Sequence, residues 1–478
     1  MTKELGIGVK KEENFSEWYT QVIQKAELAD YSLVSGCMIF RPYSYAMWEI
    51  LQKAIDERLK KMGVQNAYFP LFIPENLFKK EQEHVEGFSP EVAWVTQAGE
   101  KELDERLAVR PTSETIMYES YSKWIRSWRD LPLKINQWNN VVRWEFKHPV
   151  ALLRTREFLW NEGHTVYATR EEAEKEMELI IGMYRDILKE YMALHGLIGK
   201  KTEKEKFAGA VYTVSIEFLL PNGRVVQGPD FHFDGQNFAK AFDIKFLNKD
   251  GKMEYAWQNT WAITTRMLGV MIAVHGDDKG LVLPPKIAPI QIVIVPIIYE
   301  GTKEKVLEKA NEIKELLSEY RIKLDDREEH TPGWKFNEWE LKGIPIRIEI
   351  GPKDVEQNEV VVVRRDTLEK MKIGFDVLKE KISEILEKMQ NDMYEKSKKF
   401  IEENIVEVKS WDEFIKYAKE GKILFAPFCG VPECEEEIKE KSGGITTRCI
   451  PFKQPKFEGN CINCNRKAKF MCYFAKTY

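Results

Sequence analysis

The proline-rich segment at residues 283–289 constrains the fold of this 478-residue chain more than any other feature. It reads Leu-Pro-Pro-Lys-Ile-Ala-Pro, and three prolines in seven residues are typical of a linker. The pattern of hydrophobic residues differs before and after this segment. We therefore predict a domain boundary here and another after residue 385, which gives domains at 1–285, 286–385 and 386–478.

Residues before the boundary predict an α+β domain with an antiparallel sheet. A helix at residues 49–61 ends at Gly63, and an apolar, strand-like run follows at 68–73. Strand candidates at 135–144, 210–220 and 240–246 outnumber helices between residues 130 and 260. A helix candidate at 261–274 closes the region.

Residues after the boundary predict a small α/β domain, because strands and helices alternate there. The strands are predicted at 291–298, 344–350 and 360–364, and a helix at 303–320. A long charged amphipathic helix, from residue 376 to about 404, leads into a third, cysteine-containing unit.

The cysteines point to a metal site. Six of the seven lie after residue 428, and four of them form a C-x4-C pair, Cys429 and Cys434, and a C-x2-C pair, Cys461 and Cys464. Two such pairs are expected to close a tetrahedral, structural zinc site. Cys449, Cys472 and Cys37 stand singly, and we interpret them as core residues.

Composition restricts the setting of the protein. Clustered cysteines favour a reducing, cytoplasmic environment over a secreted disulfide framework. The stretch 1–13 is charged and the most apolar run, 290–299, is too short to span a bilayer, so we expect neither export nor membrane insertion. The net charge of −5 means that a nucleic-acid partner would be held by local basic patches.

An arginine-rich strand end suggests a nucleotide site. Arg143 and Glu145 end a predicted strand, and Arg154, Arg156 and Phe158 follow a loop. Arginine can hold a phosphate or a carboxylate, glutamate can accept from an adenine amino group, and phenylalanine can stack on a base. An isolated R-x-E is more often a surface strand with ion pairs. The order of the surrounding segments favours the functional interpretation.

That order resembles the three motifs of class II aminoacyl-tRNA synthetases. Motif 1 corresponds to residues 63–71 with Pro70, motif 2 to 142–158, and motif 3 to 264–269 with Arg266. The run Arg-Pro-Thr-Ser-Glu-Thr at 110–115 resembles the prolyl-tRNA synthetases, as do residues 275–285 and 343–352. The cysteine-containing C-terminus resembles the archaeal and eukaryotic type, which has a zinc-containing extension. The resemblance implies an antiparallel-sheet catalytic domain, an α/β anticodon-binding domain and a small α+β zinc domain.

The resemblance also implies roles for individual residues. Arg143 and Arg266 would be catalytic, and proline would be bound by Thr112, Glu114, Arg143 and His232. ATP, accompanied by Mg²⁺, would be bound by Arg143, Glu145, Arg154, Phe158, Gln227, Thr264 and Arg266. Asp230 is a further candidate for ATP, at a position where the chain departs from the family. The chemistry of the reaction agrees, because attack of a carboxylate on an α-phosphorus needs two anions held together and no protein nucleophile. Trp160 and His164 would line the amino-acid pocket or belong to the core.

One segment departs from the family pattern. Where relatives read Gln-Gly-Gly-Thr-Ser-His, residues 227–232 read Gln-Gly-Pro-Asp-Phe-His. Two interpretations stay open: Asp230 contacts the ribose hydroxyls or the magnesium ion of ATP, or Pro229 turns Asp230 to solvent while Phe231 fills the core.

The expected activity is proline–tRNA ligation by a cytoplasmic homodimer, with L-proline, ATP and tRNA(Pro) as partners. Glu340, Arg347 and Lys353, together with Lys335, would lie near strand ends and contact the anticodon. The alternatives are a synthetase-like RNA-binding protein that has lost catalysis, and a class II synthetase for another amino acid.

Overall fold

A computed structural model of the chain describes residues 6–84, 91–145 and 148–478. Residues 1–5 of the charged N-terminal stretch and residues 146 and 147 of the motif 2 segment lie outside the described residues. Within the described ranges, no helix combines the length and the apolarity needed to cross a bilayer.

The region before the proline-rich segment is mixed, with many short strands. Its helices are α1 (Phe15–Lys25), α2 (Pro42–Lys61), α3 (Glu75–His84), α4 (Glu114–Trp124), α5 (Arg170–Met192), α6 (Asn237–Phe242) and α7 (Arg266–His275), with a 3-10 turn at Trp128–Asp130. Its strands are β1 (Ala29–Tyr31), β2 (Met38–Phe40), β3 (Gln65–Asn66), β4 (Phe72–Pro74), β5 (Trp94–Ala98), β6 (Lys101–Val109), β7 (Leu133–Val142), β8 (Glu157–Tyr167), β9 (Leu197–Lys200), β10 (Tyr212–Leu219), β11 (Arg224–Gly235), β12 (Lys245–Leu247), β13 (Met253–Tyr255) and β14 (Trp257–Thr264).

The predicted α+β pattern is confirmed, with three local errors. The predicted strand at 240–246 begins as α6, because Phe238, Ala239 and Phe242 bury one helical face. The predicted helix at 261–274 begins as β14, and α7 starts only at Arg266. The strand-like run at 68–73 contains only the start of β4, since Pro70 interrupts it.

The middle region forms an α/β unit, as predicted. It contains β15 (Ile292–Pro296), α8 (Lys303–Leu316), β16 (Ile322–Leu324), α9 (Pro332–Leu341), β17 (Ile346–Ile350), α10 (Pro352–Glu356), β18 (Glu359–Arg364) and β19 (Lys370–Gly374). The five strands form one sheet in the order β16-β15-β17-β18-β19. The predicted charged helix is α11 (Leu378–Glu402), and it runs without a break across residue 385.

The C-terminal region does not form a separate sheet. It contains β20 (Ile405–Glu407), α12 (Trp411–Lys419), β21 (Ile423–Phe428), α13 (Pro432–Ser442), β22 (Ile445–Thr447), β23 (Ile450–Pro451) and β24 (Phe470–Thr477). Strand β24 pairs in parallel with β11, with Arg224 opposite Lys476. The third unit therefore extends the sheet of the first, in the order β20-β21-β24-β11-β14-β8-β7-β3.

Buried ion pairs fix this junction. Glu217 on β10 accepts hydrogen bonds from Lys201 Nζ at 2.6 Å and from Arg448 Nη2 at 2.7 Å. Burial alone would raise the pKa of Glu217, but the charges of Arg448 and Lys201 lower it to about 2. Removing either cation would leave a buried carboxylate with too little compensation.

The two faces of the central sheet have different roles. On one face Phe231 and Trp261 pack into a core with α1, α2, α5 and α7. Gly163 on β8 lies beneath Trp261, and a Cβ there would come within 2.1 Å of the indole ring. Because strand residues alternate between faces, His232 and Thr260 point to the other face, where the cavity described next is found.

Candidate active site

A cavity of about 240 Å³ lies against β8, β11 and β14 and is closed by the segments that begin α4 and α7. It brings together residues that are up to 154 positions apart in the sequence, from Thr112 to Arg266. Nine of the residues predicted from the sequence line it: Thr112, Glu114, Arg143, Phe158, Gln227, Asp230, His232, Thr264 and Arg266. Glu145 and Arg154 are not among its lining residues.

Positive charge is concentrated at one end of the cavity. Arg266, the first residue of α7, donates from Nε to the Leu153 carbonyl oxygen at 2.9 Å and from Nη1 to that of Gln227 at 3.2 Å. Burial and then the charges of Arg143 and Arg154 lower the pKa of Arg266 to about 10. Arg143 and Arg266 line the cavity and Arg154 adds positive charge close to Arg266, so this end is suited to a polyanion.

Arg143 connects the two ends of the cavity. Its Nε donates to the Pro111 carbonyl oxygen at 3.1 Å, which ties it to the segment carrying Thr112 and Glu114. Its guanidinium lies over the rings of Phe158 and Trp160, at 5.5 and 5.3 Å from the centroids. These contacts leave the side chain on the boundary between the arginine-rich end and the carboxylate end.

The opposite end of the cavity carries a buried carboxylate. The Thr112 hydroxyl donates to Glu114, and both residues are more than nine-tenths buried. Trp160 and His164, which were expected either to line the amino-acid pocket or to belong to the core, also line the cavity. A buried carboxylate beside a hydroxyl is suited to a small ammonium-type cation.

The departing segment 227–232 combines features of both interpretations. Phe231 is fully buried in the core, as one interpretation expected. Asp230 nevertheless lines the cavity, as the other expected, and accepts from Gln227 Nε2 at 2.8 Å. His232 Nε2 lies 3.5 Å from Asp230 Oδ1, while His232 Nδ1 and the Thr213 hydroxyl are 2.8 Å apart.

The residues predicted to contact the anticodon are spread over the middle region. Glu340 lies on α9 and Arg347 inside β17, joined by a 2.9 Å ion pair, and the Arg347 guanidinium lies over the Phe336 ring at 4.2 Å. Lys353 is exposed on α10. Lys335 is buried on α9 and donates at 3.0 Å to the carbonyl oxygen of Asp325, the residue directly after β16, so its ammonium group lies near a strand end, as predicted, but is buried there.

The four paired cysteines meet, as predicted. Their sulfur atoms lie within 4.8 Å of one another, with Cys434 to Cys461 at 3.7 Å and Cys429 to Cys464 at 3.6 Å. A tetrahedral ion with metal–sulfur bonds of about 2.3 Å requires sulfur atoms about 3.8 Å apart. The donor set therefore fits a metal ion, and Asn463 Nδ2 donates to Cys434 Sγ at 3.4 Å.

Two of the single cysteines are core residues and the third is not. Cys449 and Cys472 are fully buried, as predicted. Cys37 is only half-buried in the turn between β1 and β2, so its assignment to the core is wrong. That turn is too short to bury its own side chains.

Family models match three successive parts of the chain. The tRNA synthetase class II core domain (G, H, P, S and T) matches residues 94–275, the anticodon binding domain 291–385, and the prolyl-tRNA synthetase C-terminal domain 411–478. A proline–tRNA ligase of Natranaerobius thermophilus is 51% identical over 471 residues, which are 98% of this chain and 97% of that protein. The chain belongs to the prolyl-tRNA synthetase family.

Other members of the prolyl-tRNA synthetase family agree with this assignment. The cytoplasmic proline–tRNA ligase of Arabidopsis thaliana is 49% identical over 484 residues, which cover 99% of this chain and 91% of that protein. The crystal structure of the prolyl-tRNA synthetase of Cryptosporidium parvum, complexed with halofuginone and AMPPNP, superposes with a TM-score of 0.96 at 46% identity and covers 99% of each chain. The predicted fold class is confirmed.

Several residues that line this prolyl-tRNA synthetase cavity were not predicted from the sequence. They are Glu162, Glu205, Phe207, Thr213 and Thr260. Phe207 lies with its ring 4.6 Å from that of His232, on a loop without a recognisable motif. For Glu162 a signal existed, because an acidic residue in the middle of an otherwise buried strand needs several hydrogen-bond donors.

Proposed function

We propose that this cavity binds proline and ATP together and that its arginines drive their condensation. As a member of a family of proline–tRNA ligases, the chain is an aminoacyl-tRNA ligase that forms prolyl-adenylate and then prolyl-tRNA. The observation that carries the proposed site is the meeting of two arginines, Arg143 and Arg266, and the buried carboxylate of Glu114 in one cavity, with Arg143 tied to the segment that carries Glu114.

In the first step the carboxylate oxygen of proline attacks the α-phosphorus of ATP, and pyrophosphate leaves. Both reactants are anions at the reacting centre, so their approach is unfavourable unless cations lie between them. Arg143 would hold the proline carboxylate and the α-phosphate, and Arg266 would neutralise charge that develops on the phosphate oxygens. In the second step a ribose hydroxyl at the 3′ end of tRNA(Pro) attacks the prolyl carbonyl carbon, and AMP leaves.

At the proline end, Glu114 and Thr112 would bind the secondary ammonium group. An ionised carboxylate and a hydroxyl oxygen are both acceptors for that cation. His232 would close the pocket against the proline ring, supported by Phe207, whose ring it contacts.

At the nucleotide end, Phe158 would stack on adenine and Glu145 would accept from its amino group. Arg154, Gln227, Asp230, Thr264 and Arg266 would surround the ribose and the phosphates. Asp230 and Glu205 supply cavity-lining carboxylate oxygens of the kind that magnesium prefers. We assign Asp230 to the Mg²⁺ that accompanies ATP, which neutralises phosphate charge when bound.

The four-cysteine cluster would hold a structural Zn²⁺. Four thiolates complete a tetrahedral shell and leave no position for a substrate, so the ion would stabilise the fold of the C-terminal region rather than take part in the reaction. This inference is supported by the sulfur separations and by the burial of Cys429, Cys434 and Cys461.

Further parts of the proposal concern assembly and partners. Exposed apolar side chains cluster on the β1–β2 hairpin, at Tyr31, Leu33, Val34 and Ile39, and favour a homodimer that covers them. Glu340, Arg347 and Lys353 would contact the anticodon of tRNA(Pro), and a cytoplasmic location suits free thiols. We propose domain limits at 1–285, 286–385 and 386–478, although helix α11 spans the second limit.

Pyrophosphate exchange tests the proposed function. ATP, labelled pyrophosphate and each of the standard amino acids in turn are incubated with the full chain, and tRNA(Pro) charging is measured in parallel. Proline is expected to support both activities, and exchange that another amino acid supports better would show a different specificity. Binding of tRNA without any exchange would instead favour the catalytically inactive, synthetase-like protein.

A further inference from the structure

Glu162 is saturated with hydrogen bonds although it lies at the wall of the cavity. It accepts from the Ser113 amide at 3.0 Å and from the Ser113 hydroxyl. It also accepts from Gln137 Nε2 at 3.3 Å and Asn139 Nδ2 at 2.7 Å, and its Oε2 is 3.1 Å from His164 Nε2. Five donors occupy the roughly four lone-pair positions of a carboxylate, so none is left for a substrate.

The charge state of this group follows from its partners. Burial alone would raise the pKa of Glu162, but hydrogen bonds and charge from His164, with further bonds from Ser113 and Asn139, lower it below its usual value. An ionised carboxylate can only accept, so His164 Nε2 must carry a proton. His164 Nδ1 lies 3.2 Å from the Tyr118 hydroxyl, which anchors the ring on its other side.

The hydrogen bonds between Ser113 and Glu162 hold the start of α4 in place. Ser113 occupies the N-cap position of α4, where a serine side chain ordinarily accepts a hydrogen bond from the first turn of the helix. Here the side chain makes no capping bond. Its hydroxyl donates to Glu162 and accepts from Gln137 Nε2 at 3.0 Å. The bonds of Ser113 therefore fasten the start of α4 to β7 and β8.

We propose that Glu162 is a positioning residue that sets the affinity for proline by clamping Ser113, and with it Thr112 and Glu114, against the sheet. Thr112 and Glu114 flank Ser113 directly in the chain, so two bonds to this one residue fix the carboxylate that faces the proline cation. The proposal rests on the proposed role of Thr112 and Glu114. It assigns to Glu162 no contact with proline or ATP.

The test compares Glu162→Gln and Ser113→Ala with the double variant in proline-dependent pyrophosphate exchange. A glutamine cannot accept all five bonds, so Glu162→Gln is expected to raise the proline KM by about tenfold and to leave the ATP KM within about twofold. Ser113→Ala should raise the proline KM less, and the double variant should match Glu162→Gln, because both changes break the same clamp.

Glu176→Gln is the matched control. Glu176 is also a buried glutamate against β8, where it accepts from Asn259 Nδ2 at 2.8 Å, but it is not part of the cavity lining. Its proline KM should stay at the wild-type value even if thermal stability falls. A wild-type proline KM in Glu162→Gln, or equal rises in the proline and ATP KM values, would overturn the proposal.

Two further comparisons cover a folding failure of Glu162→Gln and an error in the proposed proline site. If Glu162→Gln does not fold, Ser113→Ala decides the matter, since it removes one oxygen from the same clamp. Glu114→Gln separates this proposal from the function on which it rests. If Glu114→Gln raises the proline KM and Glu162→Gln does not, only the clamp is wrong, whereas no effect of Glu114→Gln contradicts the proposed proline site itself.

Discussion

At the scale of single residues, the buried carboxyl groups in and near the cavity differ in how many hydrogen-bond donors surround them. Glu162 has five donors, whereas Asp234, two positions after His232, is fully buried and has no comparable set of donors. Burial and then the negative charge of Glu114 raise the pKa of Asp234 well above its usual value. The carboxyl group is therefore neutral in the folded protein over a pH range in which it is ionised in the unfolded chain.

This difference predicts a pH-dependent cost in stability. The folded state binds one more proton than the unfolded state above the usual carboxyl pKa, so stability falls as pH rises, by about 1.4 kcal/mol per unit. Asp234→Asn keeps the shape and removes the titration. Urea unfolding should show the variant gaining on the wild type as the pH rises from about the usual carboxyl pKa toward the raised pKa of the folded state. Parallel curves for the two proteins would contradict a neutral Asp234.

At the scale of elements, the cysteine pairs show which sequence signals are reliable. Each pair is short enough for local backbone to bring its own sulfurs together, so spacing alone predicted the cluster correctly. The start of α7 was harder to predict from the sequence, because the apolar run that begins at Trp261 continues from β14 into the helix. Periodicity cannot separate a buried strand from a buried helix that directly follows it.

The four-cysteine cluster, to which we assign a zinc ion, gives a prediction about this region. Cys461→Ala should lose the ion, because three thiolates no longer close the shell, and protease should then cleave residues 411–478 more readily. Pyrophosphate exchange should fall only in part, because β24 and Tyr478 still connect this region to the catalytic region. Arg154 Nη1 donates to the main-chain oxygen of Tyr478 at 3.1 Å.

The control for this experiment is Cys472→Ala, which removes a fully buried thiol that is not in the cluster. Elemental analysis should find about one zinc per chain in the wild type and in this control. Metal-free wild-type protein, purified without chelator, would contradict the assignment.

At the scale of the whole molecule, the order of the units along the chain does not show which of them share a sheet. The sequence indicated three successive units, but β24 pairs with β11 some 250 positions earlier, and Arg448 reaches Glu217. Local sequence patterns do not predict this pairing. The hydrophobic pattern of each strand is already explained by burial within its own region, and it does not indicate a partner strand elsewhere in the chain. The same holds for the cavity: family motifs identified Arg143, Arg266 and Glu114, while Glu162 and Phe207 became visible only when the strands were assembled.

Arg143 is proposed to hold the two reacting anions in this cavity. Arg143→Ala should lose about 3 to 4 kcal/mol of transition-state stabilisation, a several hundredfold drop in proline-dependent pyrophosphate exchange. Arg170→Ala, at an exposed arginine that pairs with Glu174 on α5, serves as the control and should exchange at the wild-type rate. Exchange by Arg143→Ala within about threefold of the wild type would contradict this role of Arg143.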